Sequence, residues 1–262
     1  MDLGLTDKVA IVTGAGRGIG LAVADALIRE GATVVAGSRE SSAELKALAG
    51  DGRLLAVEVD LSEPEGPRSL VEAAVSAYGG IDVLVNNVGA VRPRVGGLLT
   101  VTDDDWEATL TINFLAAVRA TRAVLPHLVE RGAGSIVTVS SVNAFLPDPL
   151  VVDYGAAKAA LSNFCKAVSK EFGPQGVRVN TVSPGPVATG LWLGDDGVAA
   201  TVARAGGGSA ASVAEQAAGG AATGRFTRPE EVADLVAFLA GGGAGNITGS
   251  DFVIDGGLVS TL

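Results

Sequence analysis

A phenol and an ammonium stand one helical turn apart in the stretch "DYGAAKAAL", residues 153–161. The chain has only two tyrosines, Tyr78 and Tyr154, and Lys158 follows Tyr154 four residues later. Continued as a helix over 153–172, this spacing brings Tyr154, Lys158, Leu161, Cys165, Val168 and Phe172 within about 40° of one direction. The last four belong in a core, so the stripe carries a proton-exchanging pair at its N-terminal end. A free tyrosine has a pKa of about 10, too high for easy exchange near neutrality, and a neighbouring cation lowers it by stabilising the phenolate. The pair is therefore suited to passing a proton to or from an oxygen atom.

A second group with chemical meaning is "VTGAGRGIG", residues 12–20. Gly14, Gly16, Gly18 and Gly20, with Ile19 between the last two, follow the first apolar run and open a helical pattern. Glycines there permit a tight turn and let a pyrophosphate approach the free N–H groups of a helix N-terminus. The spacing is neither G-x-G-x-x-G nor G-x-x-x-x-G-K-[ST]. About 20 residues further on, where an adenosine ribose should lie, an acid would select a 2′-hydroxyl. The chain instead offers Ser38 and Arg39 in "AGSRE", and Arg17 within the glycine loop can reach the same place. Two guanidinium groups favour a 2′-phosphate, so NADP(H) is expected over NAD(H), although Glu40 follows immediately.

These groups need a scaffold, and the pattern of the chain supplies one. Apolar runs at 8–14, 33–38, 54–60, 82–87, 135–141, 177–182 and 252–255 read as strands; 19–30, 65–78, 103–131, 154–173 and 229–240 read as helices. Alternation at this spacing predicts an α/β fold: a doubly wound, seven-stranded and mostly parallel sheet with helices on both faces, in a single domain over 1–262. The strands are almost wholly apolar, as burial on both faces requires. Residues 191–224, rich in alanine and glycine, break the pattern and read as a mobile segment, either a surface loop or an active-site lid.

Composition narrows the function. Of 262 residues 48% are hydrophobic, and the mean hydropathy is +0.40, so core material is plentiful and disorder is not expected. No apolar run is long enough to span a membrane, and "MDLGLTDKVAIVTG" lacks the basic start of a signal peptide. One cysteine, Cys165, forms no internal disulfide; a soluble, cytoplasmic protein is expected. A net charge of −10 argues against nucleic-acid partners. With His127 the only histidine, a metal site of several His or Cys ligands is not available, and none is expected. No G-x-S-x-G elbow exists to pair with it, and His127 reads as a helix-surface or packing residue.

Taken together, the motifs resemble the short-chain dehydrogenase/reductase family in its single-domain form, nearly end to end. T-G-x-x-x-G-x-G is met at 13–20, the family's N-N-A-G stands as "NNVG" at 86–89 with Val88 in place of alanine, and Tyr-x-x-x-Lys is Tyr154–Lys158. Asn113 in "TINF" matches the helix-borne asparagine, Ser141 the serine thirteen residues before the tyrosine, and "SPGPVATG" at 183–190 the Pro-Gly motif near the nicotinamide. The resemblance implies hydride transfer between nicotinamide and a ketone or secondary alcohol. Tyr154 would exchange the proton, Lys158 would lower its pKa and bond the nicotinamide ribose, Ser141 would orient the substrate oxygen, and Asn113 would hold a water. It further implies cofactor contacts at Asp60 and Leu61 (adenine), Asn87 and Gly89 (adenosine ribose), and Pro184, Gly185, Val187 and Thr189 (nicotinamide side). Of "SS" at 140–141, spacing selects Ser141; Ser140 reads as structural.

Within that reading the leading expectation is an NADP(H)-dependent carbonyl reductase or alcohol dehydrogenase acting on a small molecule. The runner-up is a 3-oxoacyl-thioester reductase that accepts an acyl carrier, for which Arg92, Arg94 and Arg131 could provide cations. A non-catalytic NADP(H)-binding sensor is the remaining alternative, opposed by the intact Ser141, Tyr154 and Lys158. Pocket walls are expected at 91–95, 142–149 and 191–224; Phe145, Leu146, Leu191, Trp192 and Leu193 either meet an apolar substrate or pack lid against body. The family resemblance also implies a homo-oligomer, a tetramer or a dimer.

Overall fold

A computed structural model of the chain describes residues 2–261. In chain order the elements are β1 (Val9–Thr13), α1 (Gly18–Arg29), β2 (Thr33–Ser38), α2 (Ala43–Leu48), β3 (Leu54–Glu58), α3 (Gly66–Tyr78) and β4 (Val83–Asn86). There follow α4 (Asp103–Leu110), α5 (Ala116–Arg131), β5 (Gly134–Val139), α6 (Val152–Phe172), β6 (Val177–Pro184), the short α7 (Gly190–Leu193), α8 (Val198–Gly206), α9 (Ala210–Gly219), α10 (Pro229–Ala240) and β7 (Asp251–Ile254). Every strand pairing is parallel, in the order β3-β2-β1-β4-β5-β6-β7. The order reverses between β1 and β4, and the crevice beyond the carboxyl ends of the strands at such a reversal is where open α/β sheets bind ligands.

Strand alternation divides the core into two layers. Ala10 and Val12 of β1, Val83 and Val85 of β4, and Val137 and Val139 of β5 face a layer completed by Val23 and Leu27 of α1 and Val232 and Val236 of α10. Ile11, Leu84 and Ile136, one residue out of step, face α3, α5 and α6. Leu161, Cys165 and Val168 are buried in that second layer and Phe172 packs against it, so the apolar half of the α6 stripe lies where its periodicity predicts. Between α4 and α5 residues Thr111–Leu115 widen to i→i+5 spacing, with the Ala116 N–H bonding the Thr111 carbonyl. Such a one-turn bulge frequently marks a functional position, and this one carries Asn113.

The stretch after β6, where the sequence shows no clear element, forms α7, α8 and α9. Alanine is the best helix former, and Ser209 caps α9 by accepting the Ser212 N–H at 3.1 Å. Apolar packing stays thin: α8 buries Val198, Ala199 and Ala203, and α9 buries nothing. The two ends of the segment are tied together by a parallel bridge between Val187 and Thr227. Among the described residues no helix is long and apolar enough to cross a membrane, and no cluster of three His, Cys, Asp or Glu side chains could hold a metal ion.

Candidate active site

The glycine loop leaves β1 under tight steric control. Gly14 and Gly18 adopt φ of 69° and 56°, in the left-handed region that favours glycine. A Cβ on Gly20 would lie 2.3 Å from the Gly14 carbonyl oxygen, so the turn closes only without a side chain there. A Cβ on Gly18 would stand 3.3 Å from the methyl of Thr189, which brings the loop after β6 against the loop after β1. No side chain caps α1 and no acid occupies its first turn, leaving its N–H groups and positive dipole end for an anion. These features fit a dinucleotide pyrophosphate.

The turn after β4 holds that loop in place. Thr13 Oγ1 accepts the N–H groups of Asn87 (2.9 Å) and Val88 (3.1 Å), while Asn87 Nδ2 donates to the carbonyls of Thr13 (2.9 Å) and Gly14 (3.2 Å). Both amide hydrogens of Asn87 are thus spent on the loop, so its side chain braces the turn beside the glycine loop. At the end of β2, Ser38 Oγ donates to the Glu40 carbonyl at 2.8 Å, and a Cβ on Gly16 would touch the Ser38 side chain at 3.2 Å. Arg17 and Arg39 are exposed, and among the described residues neither takes part in a salt bridge. Asp60 is held below the usual carboxylate range, first by the Ser62 hydroxyl and N–H at 2.6 and 2.9 Å and also by the nearby Arg39; Leu61 beside it is buried.

Tyr154 stands in the first turn of α6, half-buried, with the Lys158 ammonium 5.7 Å from its ring centroid. Lys158 is 3% exposed and donates to the Val139 carbonyl at 2.9 Å. Burial brings its pKa down to about 8, so the amine still carries its proton near neutrality. The sequence predicts a lowered phenol pKa; here burial pushes Tyr154 above its ordinary value, against the pull of the Ser141 hydroxyl. Within the chain alone the phenol is therefore neutral and ready to donate. Ser141, just past β5, accepts the Asn143 N–H at 3.2 Å, whereas Ser140 is buried and shares a 2.7 Å hydrogen bond with Ser162.

Asn113 reaches the same place from the helical bulge. Its Oδ1 accepts the Ala90 N–H at 3.1 Å, and its Nδ2 donates to the carbonyls of Ala90 (2.8 Å) and Thr109 (3.0 Å). Both of its amide hydrogens clamp backbone, which leaves the side chain no donor for the expected water. A Cβ on Gly89 would lie 2.8 Å from Asn113 Oδ1 and 3.6 Å from Lys158 Nζ, so β4, α5 and α6 converge at one point. Pro184 is buried and Gly185 is pressed on Asp255, where a Cβ would come within 2.9 Å; this fixes the chain leading to Val187 and Thr189.

Two sequence expectations change. Arg94 is not a cation at the site mouth but is 10% exposed and paired with Asp105 and Asp153. Arg131 pairs with Asp82, which precedes β4 and lies at the opposite edge of the sheet. The acid that Arg94 engages, Asp153, sits beside Tyr154 and carried no signal in the sequence apart from its position. Among the described residues the exposed large apolar side chains are Val95, Leu98, Leu99, Phe145, Leu146, Leu191, Leu193 and Val253; all but the last follow β4, β5 or β6.

A parallel doubly wound sheet, a glycine turn opening a helix, and a half-buried tyrosine beside a buried lysine at the sheet's switch point define an oxidoreductase on a dinucleotide-binding fold. The family model described as short chain dehydrogenase matches residues 8–195. "Dehydrogenase/reductase SDR family member 4" of Homo sapiens is 36% identical over 266 residues, covering 98% of this chain and 90% of the relative. The 3-oxoacyl-[acyl-carrier-protein] reductase FabG of Thermotoga maritima is 34% identical over 264 residues, covering 97% and 99%. Among solved structures, L-sorbose reductase from Gluconobacter frateurii, complexed with NADPH and L-sorbose, superposes with a TM-score of 0.90 at 33% identity over 100% of both chains. The chain belongs to the short-chain dehydrogenase/reductase family.

Proposed function

We propose that the chain is an NADP(H)-dependent oxidoreductase that interconverts a ketone and a secondary alcohol, with Tyr154 giving or taking the proton at oxygen. The observation that carries this is the grouping of Tyr154, Lys158 and Ser141 at one end of α6. When bound, the nicotinamide supplies or receives hydride at the carbonyl carbon. Ser141 donates to the substrate oxygen and orients it, and the neutral phenol of Tyr154 delivers its proton there. The Lys158 ammonium stabilises the phenolate that remains, and Asn113 holds the Ala90 turn against the site. Incubation with NADPH and a panel of ketones tests the assignment: Tyr154→Phe should stop NADPH consumption, and equal rates in variant and wild type would overturn it.

The preference for NADP(H) is supported by Arg17 and Arg39, exposed and outside any described salt bridge, and by the NADPH in the related sorbose reductase. Arg39→Asp should move the preference toward NADH; an unchanged NADPH/NADH ratio of kcat/KM removes the 2′-phosphate argument. The apolar side chains after β4, β5 and β6 support a small carbonyl substrate with an apolar flank, and the reading takes the 191–224 segment as its lid. A 3-oxoacyl-thioester reductase is the second reading, supported by relatives of that activity. It is weakened because Arg94 and Arg131 are engaged elsewhere and only Arg92 stays free of described ion pairs. Comparing a carrier-bound 3-oxoacyl thioester with its free thiol ester separates the two. The reading extends to a cytoplasmic homo-oligomer, tetramer or dimer: β7 is an edge strand with Val253 exposed, and light scattering gives the number of copies.

A further inference from the structure

The buried pair beside the tyrosine is not used by the reaction as written. Arg94 lies in the loop after β4, and its backbone N–H donates to the Leu150 carbonyl at 2.6 Å. Its Nε donates to Asp153 Oδ2 at 3.1 Å, its Nη2 bonds the same oxygen, and its Nη1 meets Asp105 Oδ1 at 2.9 Å. Thr109 Oγ1 also donates to Asp153 Oδ2, at 2.7 Å, while the Thr109 carbonyl accepts Asn113 Nδ2. Asp105 is itself fixed, because it forms a reciprocal cap with Thr102 at the start of α4. The Arg94 guanidinium thus ties the β4 loop to α4 and the first turn of α6, and its backbone N–H adds the turn before α6.

An acid in the first turn of a helix ordinarily faces water and gains a little from the dipole. Asp153 is instead 1% exposed, with Oδ1 lacking a partner among the described residues. Burying such a pair is costly, and an apolar pair of similar volume often gives equal or greater stability. What an apolar pair does not give is direction. Asp153 precedes Tyr154, and successive residues of a helix point about 100° apart. Anchoring Asp153 to Arg94 and Thr109 on one side therefore sets the rotation of α6 that aims Tyr154 on the other. The same network ends on Asn113, so the bulge and the phenol share one set of fixed distances.

We propose that Arg94 and Asp153 are positioning residues for Tyr154: the ion pair holds α6 in the rotation that brings the phenol to the substrate oxygen. This rests on the reading of Tyr154 as proton donor. The test compares wild type, Tyr154→Phe, Arg94→Lys, Asp153→Asn and the double variant Arg94→Met/Asp153→Leu, using the ketone that the wild type reduces fastest. Thermal melts, NADPH affinity by fluorescence titration, and kcat and KM are read on each. A misplacement of about 1 Å can lower a rate by about 100-fold. The double variant is expected to keep its melting temperature and NADPH affinity while kcat falls roughly 10- to 100-fold, as such misplacement implies. Arg94→Lys, which keeps the charge but not the fork that spans both acids, should fall between it and wild type. Wild-type kcat in a folded double variant overturns the proposal. If the double variant fails to fold, wild-type kcat in folded Arg94→Lys and Asp153→Asn overturns it equally. Full activity in Tyr154→Phe instead removes the underlying reading, whatever the ion-pair variants do.

Discussion

The first turn of α6 and the segment between Val187 and Thr227 lie at the same edge of the sheet and are built in opposite ways. The first holds charge where charge is expensive: Lys158 and Asp153 are 3% and 1% exposed, each tied by short hydrogen bonds. The second is made of alanine and glycine helices in which α9 buries no residue. An over-determined turn cannot adapt, and a thinly packed segment adapts at low cost. The proposed function requires both: a proton donor held in place, and a wall that admits and releases substrate.

The sharpest break in this contrast is removal of the phenol oxygen. Tyr154→Phe leaves the ring and its packing in place, so the melting temperature should hardly move. The loss of general acid catalysis should lower kcat by about 10²- to 10⁴-fold, measured as NADPH oxidation at saturating ketone. A stability loss of similar rank would mean that the hydroxyl is structural and the first region is not tuned for chemistry.

Lys158→Met separates function from stability by sign. The folded-state pKa of Lys158 is about 8, below its ordinary 10.5. Between these values the unfolded chain binds more protons than the folded one, so wild-type stability gains from this group as pH rises across that window. At pH 7 the charged amine is disfavoured in the fold by burial, and its bond to the Val139 carbonyl offsets part of that cost. Lys158→Met should therefore lose activity, and its stability relative to wild type should be most favourable at pH 7 and fall as pH rises from about 8 to about 10.5. Denaturant titrations of variant and wild type at pH 7 and 10.5 give the difference directly; a difference that stays the same at the two pH values contradicts the assignment of a buried cation with a lowered pKa.

How much of this is legible in the sequence follows from the same contrast. The strands show as unbroken apolar runs because helices cover both faces, and Ser141, Tyr154 and Lys158 show because their chemistry depends on residue type and local spacing. The Arg94–Asp153 pair spans 59 residues and exists only once the loop after β4 meets the start of α6, so Arg94 reads in one dimension as a free cation. Asn87 and Asn113 are legible as amides, but the direction of an amide's hydrogen bonds is set by the backbone it meets. Between β6 and α10 most apolar positions are alanine, so the period of α8, which buries Val198, Ala199 and Ala203, is faint in the sequence, and α9 buries nothing that could show one.

The second region is tested at Trp192, whose ring meets Phe226 edge-on with centroids 5.3 Å apart. This contact links α7 to the strand-like return before α10. Trp192→Ala should raise KM for the ketone several-fold, leave kcat within about two-fold, and lower stability by more than the roughly 1 kcal/mol of such an aromatic pair, since the partly buried indole area is lost as well. A fall in kcat with unchanged KM would place Trp192 with the proton site rather than with the wall.

The smallest effects come from one substitution made in both regions. Gly206 ends α8, and a Cβ there meets nothing within 4 Å. Gly206→Ala should stabilise the segment by a fraction of the roughly 1 kcal/mol that separates alanine from glycine in a helix interior, and slow turnover slightly if opening of the segment limits product release. Gly155 follows Tyr154 in α6, and a Cβ there would stand 3.1 Å from the Asn143 carbonyl, in the turn that carries Ser141. Gly155→Ala has the same propensity gain available, but it must push the Ser141 turn by a few tenths of an ångström to realise it. The expected outcome is a slightly higher melting temperature for Gly206→Ala, none of that gain for Gly155→Ala, and a several-fold loss of kcat confined to Gly155→Ala. Equal responses at the two sites would mean that the first turn of α6 yields as readily as α8, and the rigidity assigned to it would be lost.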